Sequence, residues 1–310
     1  LVLAPTRELA EQIRTELNTI APSRGVSTLA VYGGVGYEEQ RRSLRRGVDV
    51  LVACPGRLTD LVEHGWVRLD EVDRVVIDEA DRMSDMGFLP DVRRLLDLTA
   101  PGRQTMLFSA TLDGEVASLT RRYQRDPVRH EVEGTGADAV DARHFFWRSE
   151  APERIEHAAG IVGALSPTIV FCRTRHGVDR LSRHLAARGW RVAPLHGGRS
   201  QSQRSRALLG FSRGEVQVLV ATDVAARGIY VQGVACVVHF DPPADAKDYL
   251  HRSGRTARVG AAGVVVSLVT PDQIPASRRL QAGLGLKAGV GLIDLASRGD
   301  GGERIDPARR

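Results

Sequence analysis

Residues Arg74 to Met83, RVVIDEADRM, carry the densest chemistry in the chain. Val75, Val76 and Ile77 read as a buried strand, and at its C-terminal edge stand Asp78, Glu79 and Asp81. In a phosphoryl-transfer site a carboxylate at a strand end holds Mg2+, commonly through the ion's waters. A neighbouring carboxylate can orient and polarise an attacking water. The same letters also describe an ordinary strand-end turn with solvated acids, and this segment alone leaves both readings open. A second chemical segment, HRSGRTAR, brings together His251, Arg252, Arg255 and Arg258, and is read as a strand-to-helix transition. The planar Arg fork meets phosphate oxygens with paired hydrogen bonds, although such a run taken alone also describes a solvated basic face.

Apolar, β-branched runs of strand length recur through the chain and must position these groups. In the first half they are LVLA at Leu1, LAVYGG ending at Gly34, DVLVACPGR from Asp49, RVVIDEAD from Arg74 and TMLFSAT from Thr105. In the second half they are TIVFCRT from Thr168, RVAPLHGG from Arg191, VQVLVATD from Val216, CVVHFD from Cys236 and GVVVSLV from Gly263. Runs this apolar suit strands covered on both faces, and the helical spacing between them implies parallel sheets. Two α/β domains are the simplest architecture. The predicted boundaries are 1–132 for the first domain, 133–140 for a Gly/Ala/Asp-rich linker, 141–275 for the second domain and 276–310 for a basic, poorly ordered tail. The halves also echo each other: GVDVLVACPGR matches EVQVLVATDVAARG, and VYGG matches PLHGG. Two related domains are therefore expected, with a nucleotide at the C-terminal ends of their strands.

With 310 residues there is room for two such cores. No apolar run approaches the ~20 residues that span a bilayer, and no secretory pattern opens the chain. Cys54, Cys172 and Cys236 stand apart from one another, without CxxC or Cys/His spacing. Neither a zinc site nor a disulfide framework is expected, and a reducing, cytoplasmic setting fits. The formal charge of +5 permits nucleic-acid binding without demanding it. Lys247 and Lys287 are the only lysines among 43 basic residues, which reads as a compositional bias of the source genome.

Context decides between the readings of the acidic segment. Asp78-Glu79-Ala80-Asp81 is preceded by PTRELA (Pro5 to Ala10), the pair Gly33-Gly34 and PGR (Pro55 to Arg57). It is followed by SAT (Ser109 to Thr111), then HGG, QSQR, ATDVAARGI and HRSGRTAR. In this order, and over the chain to about Val269, the sequence resembles the DEAD-box ATP-dependent RNA helicases of superfamily 2. The resemblance implies two RecA-like α/β domains with parallel sheets, the first one incomplete. It implies ATP and Mg2+ as cofactors and RNA as partner, gripped through its backbone with little sequence preference and favoured over DNA through 2′-hydroxyl contacts.

By the same resemblance Asp78 is the Mg2+-side carboxylate, acting through water, and Glu79 the catalytic one. Asp81 bonds across the cleft, and Ser109 and Thr111 couple hydrolysis to strand separation, a role compatible with capping the helix that follows. Arg258 is the arginine finger, Arg255 its phosphate-binding companion, and His251 a link back to the acidic segment. The implied RNA contacts are Thr6, Arg7, Gly33, Gly34, Gly56 and Arg57 in the first half. In the second half they are Arg173, Gly197, Gln201, Arg204, Thr222 and Gly228. Glycine lets backbone N–H groups approach a phosphate, and Arg neutralises its charge.

Four departures qualify this assignment. No Gly-rich loop ending Gly-Lys-Thr/Ser occurs, nor the adenine-reading Gln segment before it; both are expected upstream of Leu1, where the chain opens on a strand already under way. The 310 residues alone are accordingly expected to bind ATP poorly and hydrolyse almost none. Tyr230 stands where the family's ARGxD has an Asp that bonds the ATP ribose; the lost bond costs about 1 kcal/mol and a steric block would cost more. Gly228 and Tyr230 thus border the expected nucleotide site. Cys54 replaces a Thr before Pro55, and Gly198 replaces the Asp of HGD. Two rival functions remain: a nucleotide-independent RNA-binding module on a helicase scaffold, and a DNA-directed helicase of the same superfamily.

Overall fold

All ten expected strands form, and each belongs to one of two wholly parallel sheets. The computed structural model describes residues 1–112, 114–131, 142–226, 233–243, 245–257, 263–287 and 289–292. It divides into two compact units, the first ending at Glu131. The expected linker, 133–140, lies outside the described residues, as does the end of the expected tail from 293.

The first unit contains β1 (Val2–Leu3), β2 (Thr28–Val31), β3 (Val50–Ala53), β4 (Arg74–Ile77) and β5 (Gln104–Leu107), in sheet order β2-β3-β1-β4-β5. Alternating side chains divide its core in two. Leu3, Val31, Ala53, Val75 and Ile77 pack with Leu58 and Leu61 of the helix Pro55–Glu63 and with Val92, Leu95 and Leu96 of the helix Leu89–Asp97. On the other face Val2 and Val52 meet Leu9, Ala10, Ile13 and Leu17. Those four recur at i, i+1, i+4 and i+8, one stripe of the helix Arg7–Ile20. Thr6 caps this helix by accepting from the Leu9 N–H at 3.3 Å. The chain leaves it through Gly25 at φ +67°, a left-handed conformation that a side chain resists.

The second unit contains β6 (Arg143–Arg148), β7 (Thr168–Phe171), β8 (Val192–Leu195), β9 (Val218–Ala221), β10 (Cys236–His239), β11 (Val264–Val269) and β12 (Val290–Leu292). Their order is β12-β6-β11-β10-β7-β9-β8. Every residue of β7, β9, β10 and β11 is buried, as the continuous apolar runs require when both faces are covered.

Two strands were not expected. The run RHFFWR lacks an aliphatic stretch, yet Phe146 and Trp147 are buried and β6 pairs along its whole length with β11. The assignment of 276 onward to a tail also needs correction. Residues Ile274–Gly283 form a helix that buries Ser277, Leu280 and Gln281, and β12 pairs with β6 from Val290 to Leu292. Two of those three anchors are polar, so the helix carries almost no hydrophobic signature in the sequence.

Candidate active site

Register explains why segments far apart in the sequence meet. Leu3 is level with Ala53 and Ile77, Val31 with Ala53, and Ile77 with Leu107. The five strands of the first unit therefore end along one line. Immediately past that line come Thr6-Arg7, Gly33-Gly34, Pro55-Gly56-Arg57, Asp78-Glu79 and Ser109 to Thr111.

At the middle of the line, Asp78 Oδ1 accepts from the Glu79 backbone N–H at 2.9 Å. Partial burial, and after it the charge of Glu79, raise the Asp78 carboxyl above the ordinary carboxylate range. Glu79 itself has φ +50° and ψ +53°, a left-handed conformation strained for any residue with a Cβ. Its carboxylate pairs at 2.7 Å with Arg82, whose side chain is buried. Asp81 is buried too; its N–H donates to Ser109 Oγ at 3.1 Å, while its Oδ2 has no hydrogen-bond partner among the described residues. Ser109 in turn donates to the Thr111 carbonyl at 2.6 Å. The strand-end turn after β4 and the segment after β5 are thus tied directly together. A capping role for Ser109 is not seen: the following helix, Gly114–Tyr123, starts further along, and the hydroxyl is engaged within its own loop.

Arg7, the first residue of its helix, lays its guanidinium over the two glycines after β2. A Cβ on Gly34 would lie 2.1 Å from Arg7 Nη1, and on Gly33 3.7 Å from Nη2. Arg57 behaves differently and is only 8% exposed. It donates to Gln40 Oε1 at 2.9 Å and to the Val35 carbonyl at 3.1 Å, under the Tyr37 ring at 4.0 Å. Its charge braces the loop that follows Gly34. Gly56 has open space around it. Cys54 begins its helix without a side-chain cap, and burial pushes its thiol up to about 12.

The second unit repeats this plan. Phe171, Ala221, Leu195 and His239 stand level, and motif residues follow each. Thr174 caps the helix Arg175–Ala187 as Thr6 caps its own, accepting from the Gly177 N–H at 3.0 Å. Arg175 then takes the place of Arg7: a Cβ on Gly197 would lie 3.3 Å from its Nη2. Arg173 is exposed, and its backbone N–H donates to Asp241 Oδ2 at 2.8 Å. His196 is buried, with Nδ1 accepting from the Gly198 N–H at 3.1 Å and Nε2 on Asp179 at 3.1 Å. The departure at Gly198 has a steric correlate, because a Cβ there would press on the His196 ring at 3.1 Å. Gln201 and Arg204, both partly exposed, occupy the first turn of the helix Gln201–Ser212, held by a Ser200–Gln203 capping box.

Thr222 follows β9 and is nearly buried. The next residue, Asp223, grips the buried Arg252 with both oxygens, at 2.5 and 2.7 Å. Arg252 also donates to the Asp241 carbonyl at 2.7 Å. The HRSGRTAR segment is not a strand-to-helix transition. His251 and Arg252 lie in the last turn of the helix Ala246–Ser253, and Arg255 in the turn beyond. The helix starts at Asp245, whose side chain accepts from the Asp248 N–H at 2.8 Å. Gly228, Tyr230 and Arg258 lie outside the described residues.

Arg175 was absent from the residues expected to act. The signal for it was present: PTR and RTR place Thr-Arg after the strands β1 and β7 alike, each opposite a Gly-Gly pair.

Comparison with known proteins agrees with this arrangement. The DEAD/DEAH box helicase family matches residues 1–119, and the helicase conserved C-terminal domain residues 156–260. The chain belongs to the DEAD-box helicases of superfamily 2, built on two RecA-like domains. It is 40% identical over 284 residues to DEAD-box ATP-dependent RNA helicase 30 of Arabidopsis thaliana, covering 90% of this chain and 48% of that protein. It is 40% identical over 281 residues to ATP-dependent RNA helicase DBP2 of Meyerozyma guilliermondii, covering 87% and 50%. The chain spans about half the length of these relatives. Among solved structures it is similar to S. cerevisiae Dbp5 bound to RNA and ADP BeF3, with TM-score 0.81 and 26% identity over 94% of this chain and 76% of that one. No helix among the described residues is long and apolar enough to cross a membrane.

Proposed function

We propose that the protein is an ATP-dependent RNA helicase, coupling ATP binding and hydrolysis to local parting of an RNA duplex or remodelling of an RNA–protein complex. The observation that carries this reading is the common line of strand ends on which Asp78, Glu79, Ser109, Arg7 and the Gly33-Gly34 pair converge. The relatives it matches are named as RNA helicases, and the similar Dbp5 structure is bound to RNA and a nucleotide.

The acids fit a divalent cation. Asp78 is desolvated beside a second carboxylate, which is the electrostatic burden that Mg2+ relieves. Asp78 would hold the ion through water, and the ion would neutralise charge on the nucleotide's phosphates. Glu79, paired with Arg82 and held in a left-handed backbone, would orient the attacking water. Asp81 and the Ser109–Thr111 segment share a hydrogen-bonded chain, which would couple a shift of one to the other. To Arg255 and Arg258 we assign stabilisation of phosphate charge, and to His251 positioning, on the strength of the sequence motif.

RNA backbone would lie along Arg7, Gly33, Gly34, Thr6 and Gly56 in the first unit, with Arg57 acting as the brace of that loop. In the second unit Arg173, Gly197, Gln201, Arg204 and Thr222 are joined by Arg175. The 310 residues contain no Gly-Lys-Thr/Ser loop and by themselves should turn over little ATP. The deciding experiment is phosphate release, with and without RNA, by this chain extended upstream in its natural reading frame. RNA-stimulated turnover supports the proposal. RNA binding that ignores ATP would instead identify a nucleotide-independent RNA-binding module. In the same assay Tyr230→Asp should raise turnover and nucleotide affinity; unchanged values would show that Tyr230 is no handicap.

A further inference from the structure

The first unit carries a surface that none of the motifs account for, on the outer side of the helix Tyr37–Leu44. Tyr37, His64 and Trp66 form one aromatic cluster, with ring centroids 4.9 Å apart for His64–Trp66, 5.9 Å for Tyr37–Trp66 and 6.3 Å for Tyr37–His64. Two guanidiniums lie over it: Arg57 over Tyr37 at 4.0 Å and Arg41 over Trp66 at 5.3 Å. Tyr37 nevertheless stays 39% exposed, and His64 is exposed. Contiguous aromatic surface rimmed by charged groups is a feature that marks binding sites.

Below the cluster the helix continues into a bare basic row. Arg42, Arg45 and Arg46 are all exposed, and none has a side-chain hydrogen bond or ion pair among the described residues. Arg45 still has helical backbone angles, and the turn ends only at Gly47 with φ +81°. The row shares the helix of Tyr37 but winds around it, with Arg45 about 80° and Arg42 about 140° from Tyr37 at 3.6 residues per turn, over about 13 Å from Tyr37 to Arg46 at the helical rise. Nearby acids do not cancel it. Glu38 pairs with Arg41, Glu63 with Arg94, and Asp60 accepts from the Tyr37 hydroxyl, which leaves the exposed Glu39.

We propose that this face binds a flanking segment of the RNA strand, with a nucleobase stacked on the Tyr37–His64–Trp66 cluster and successive phosphates on Arg42, Arg45 and Arg46. Aromatic faces with interleaved Arg are the combination that single-stranded nucleic acid recognises without sequence preference. Continuity assigns RNA as the occupant, because Arg57 joins the cluster to the Gly33–Val35 loop through its bond to the Val35 carbonyl. The inference rests on the RNA reading proposed above and lengthens the path of the strand.

Salt-dependent binding of uridine oligomers to the full 310-residue chain tests it, using one oligomer of about six nucleotides and one about twice as long. Arg42→Gln/Arg45→Gln/Arg46→Gln, three exposed changes that leave the core intact, should weaken the longer RNA roughly tenfold. They should also lower its log–log salt slope by about 2, at about 0.7 per single-strand phosphate, and leave the short RNA unchanged. Trp66 is the only tryptophan of the first unit, so its fluorescence should be quenched by the longer RNA in the wild type and not in Tyr37→Ala. An unaltered slope, or equal loss for both oligomers, overturns the basic row as a flanking site. Absent quenching overturns the stacked base. If the wild type binds neither oligomer, the RNA reading itself fails.

Discussion

Replacing Gly34 by Ala separates two consequences of one methyl group. Gly34 sits at φ +81°, so any Cβ there strains the backbone by about 1–2 kcal/mol. The same Cβ would lie 2.1 Å from Arg7 Nη1 and 2.6 Å from its Cζ, distances that force the guanidinium away. Moving the end of a long side chain costs less than moving backbone, so the backbone strain should set most of the stability loss. RNA affinity should fall further, because Arg7 loses its place against the strand. A charge-assisted contact is worth about 1.5–3 kcal/mol, hence roughly 10- to 150-fold in affinity. Urea denaturation reads the first quantity, and fluorescence anisotropy with a short uridine oligomer reads the second. Arg7→Ala should weaken RNA by a similar factor, and the double variant should be scarcely worse than either single one. Full additivity, or wild-type RNA affinity in Gly34→Ala, would refute the claim that this glycine exists to seat Arg7.

The second unit offers a milder counterpart: Arg175→Ala should weaken RNA binding severalfold with no loss of stability, and wild-type affinity would remove it from the RNA path. Ser109→Ala strips the acceptor from the Asp81 N–H and the donor from the Thr111 carbonyl, and should cost about 1 kcal/mol in a urea titration. A pH effect should come from His239, wholly buried, with Nδ1 3.0 Å from Ser267 Oγ and its ring edge-on to Tyr249. Burial first, then the charge of Arg252 and of His144, hold it well below its ordinary range. The unfolded chain therefore binds the extra proton first as pH falls. The stability that neutral His239 contributes is complete above the ordinary value of 6.5 and lost below it, by about 1.4 kcal/mol per pH unit. Denaturation at several pH values between 7.5 and 5 should show that slope in the wild type and lose it in His239→Asn; an equal slope in both would place the titrating group elsewhere.

The sequence was most legible where one physical demand acted alone. Strands buried on both faces must be apolar throughout, so β7, β9, β10 and β11 stood out as continuous runs. Strands at the sheet edge or next to it relax that demand. β6 mixes Arg, His and aromatics because only part of it enters the core, and β12 contributes three residues to the sheet edge. The site was legible in kind and less so in geometry. That Asp78 and Glu79 end a strand follows from letters alone, whereas the left-handed Glu79 and the bond from Asp81 to Ser109 depend on β4 and β5 being neighbours in register. Arg57 shows the limit most clearly. An Arg beside a Gly reads as a phosphate contact in any string of letters, and only the packing of Gln40, Val35 and Tyr37 around it reveals a brace. Burial also reassigns Arg252, which the motif presents as one arginine among three but which the fold commits to Asp223. In both cases a charge that looks available to a ligand is held inside the protein. The arginines left open, Arg175 beside the glycines of the second unit, the exposed Arg173 two residues before it, and Arg42, Arg45 and Arg46 on the first, are the ones on which the nucleic-acid reading should be tested.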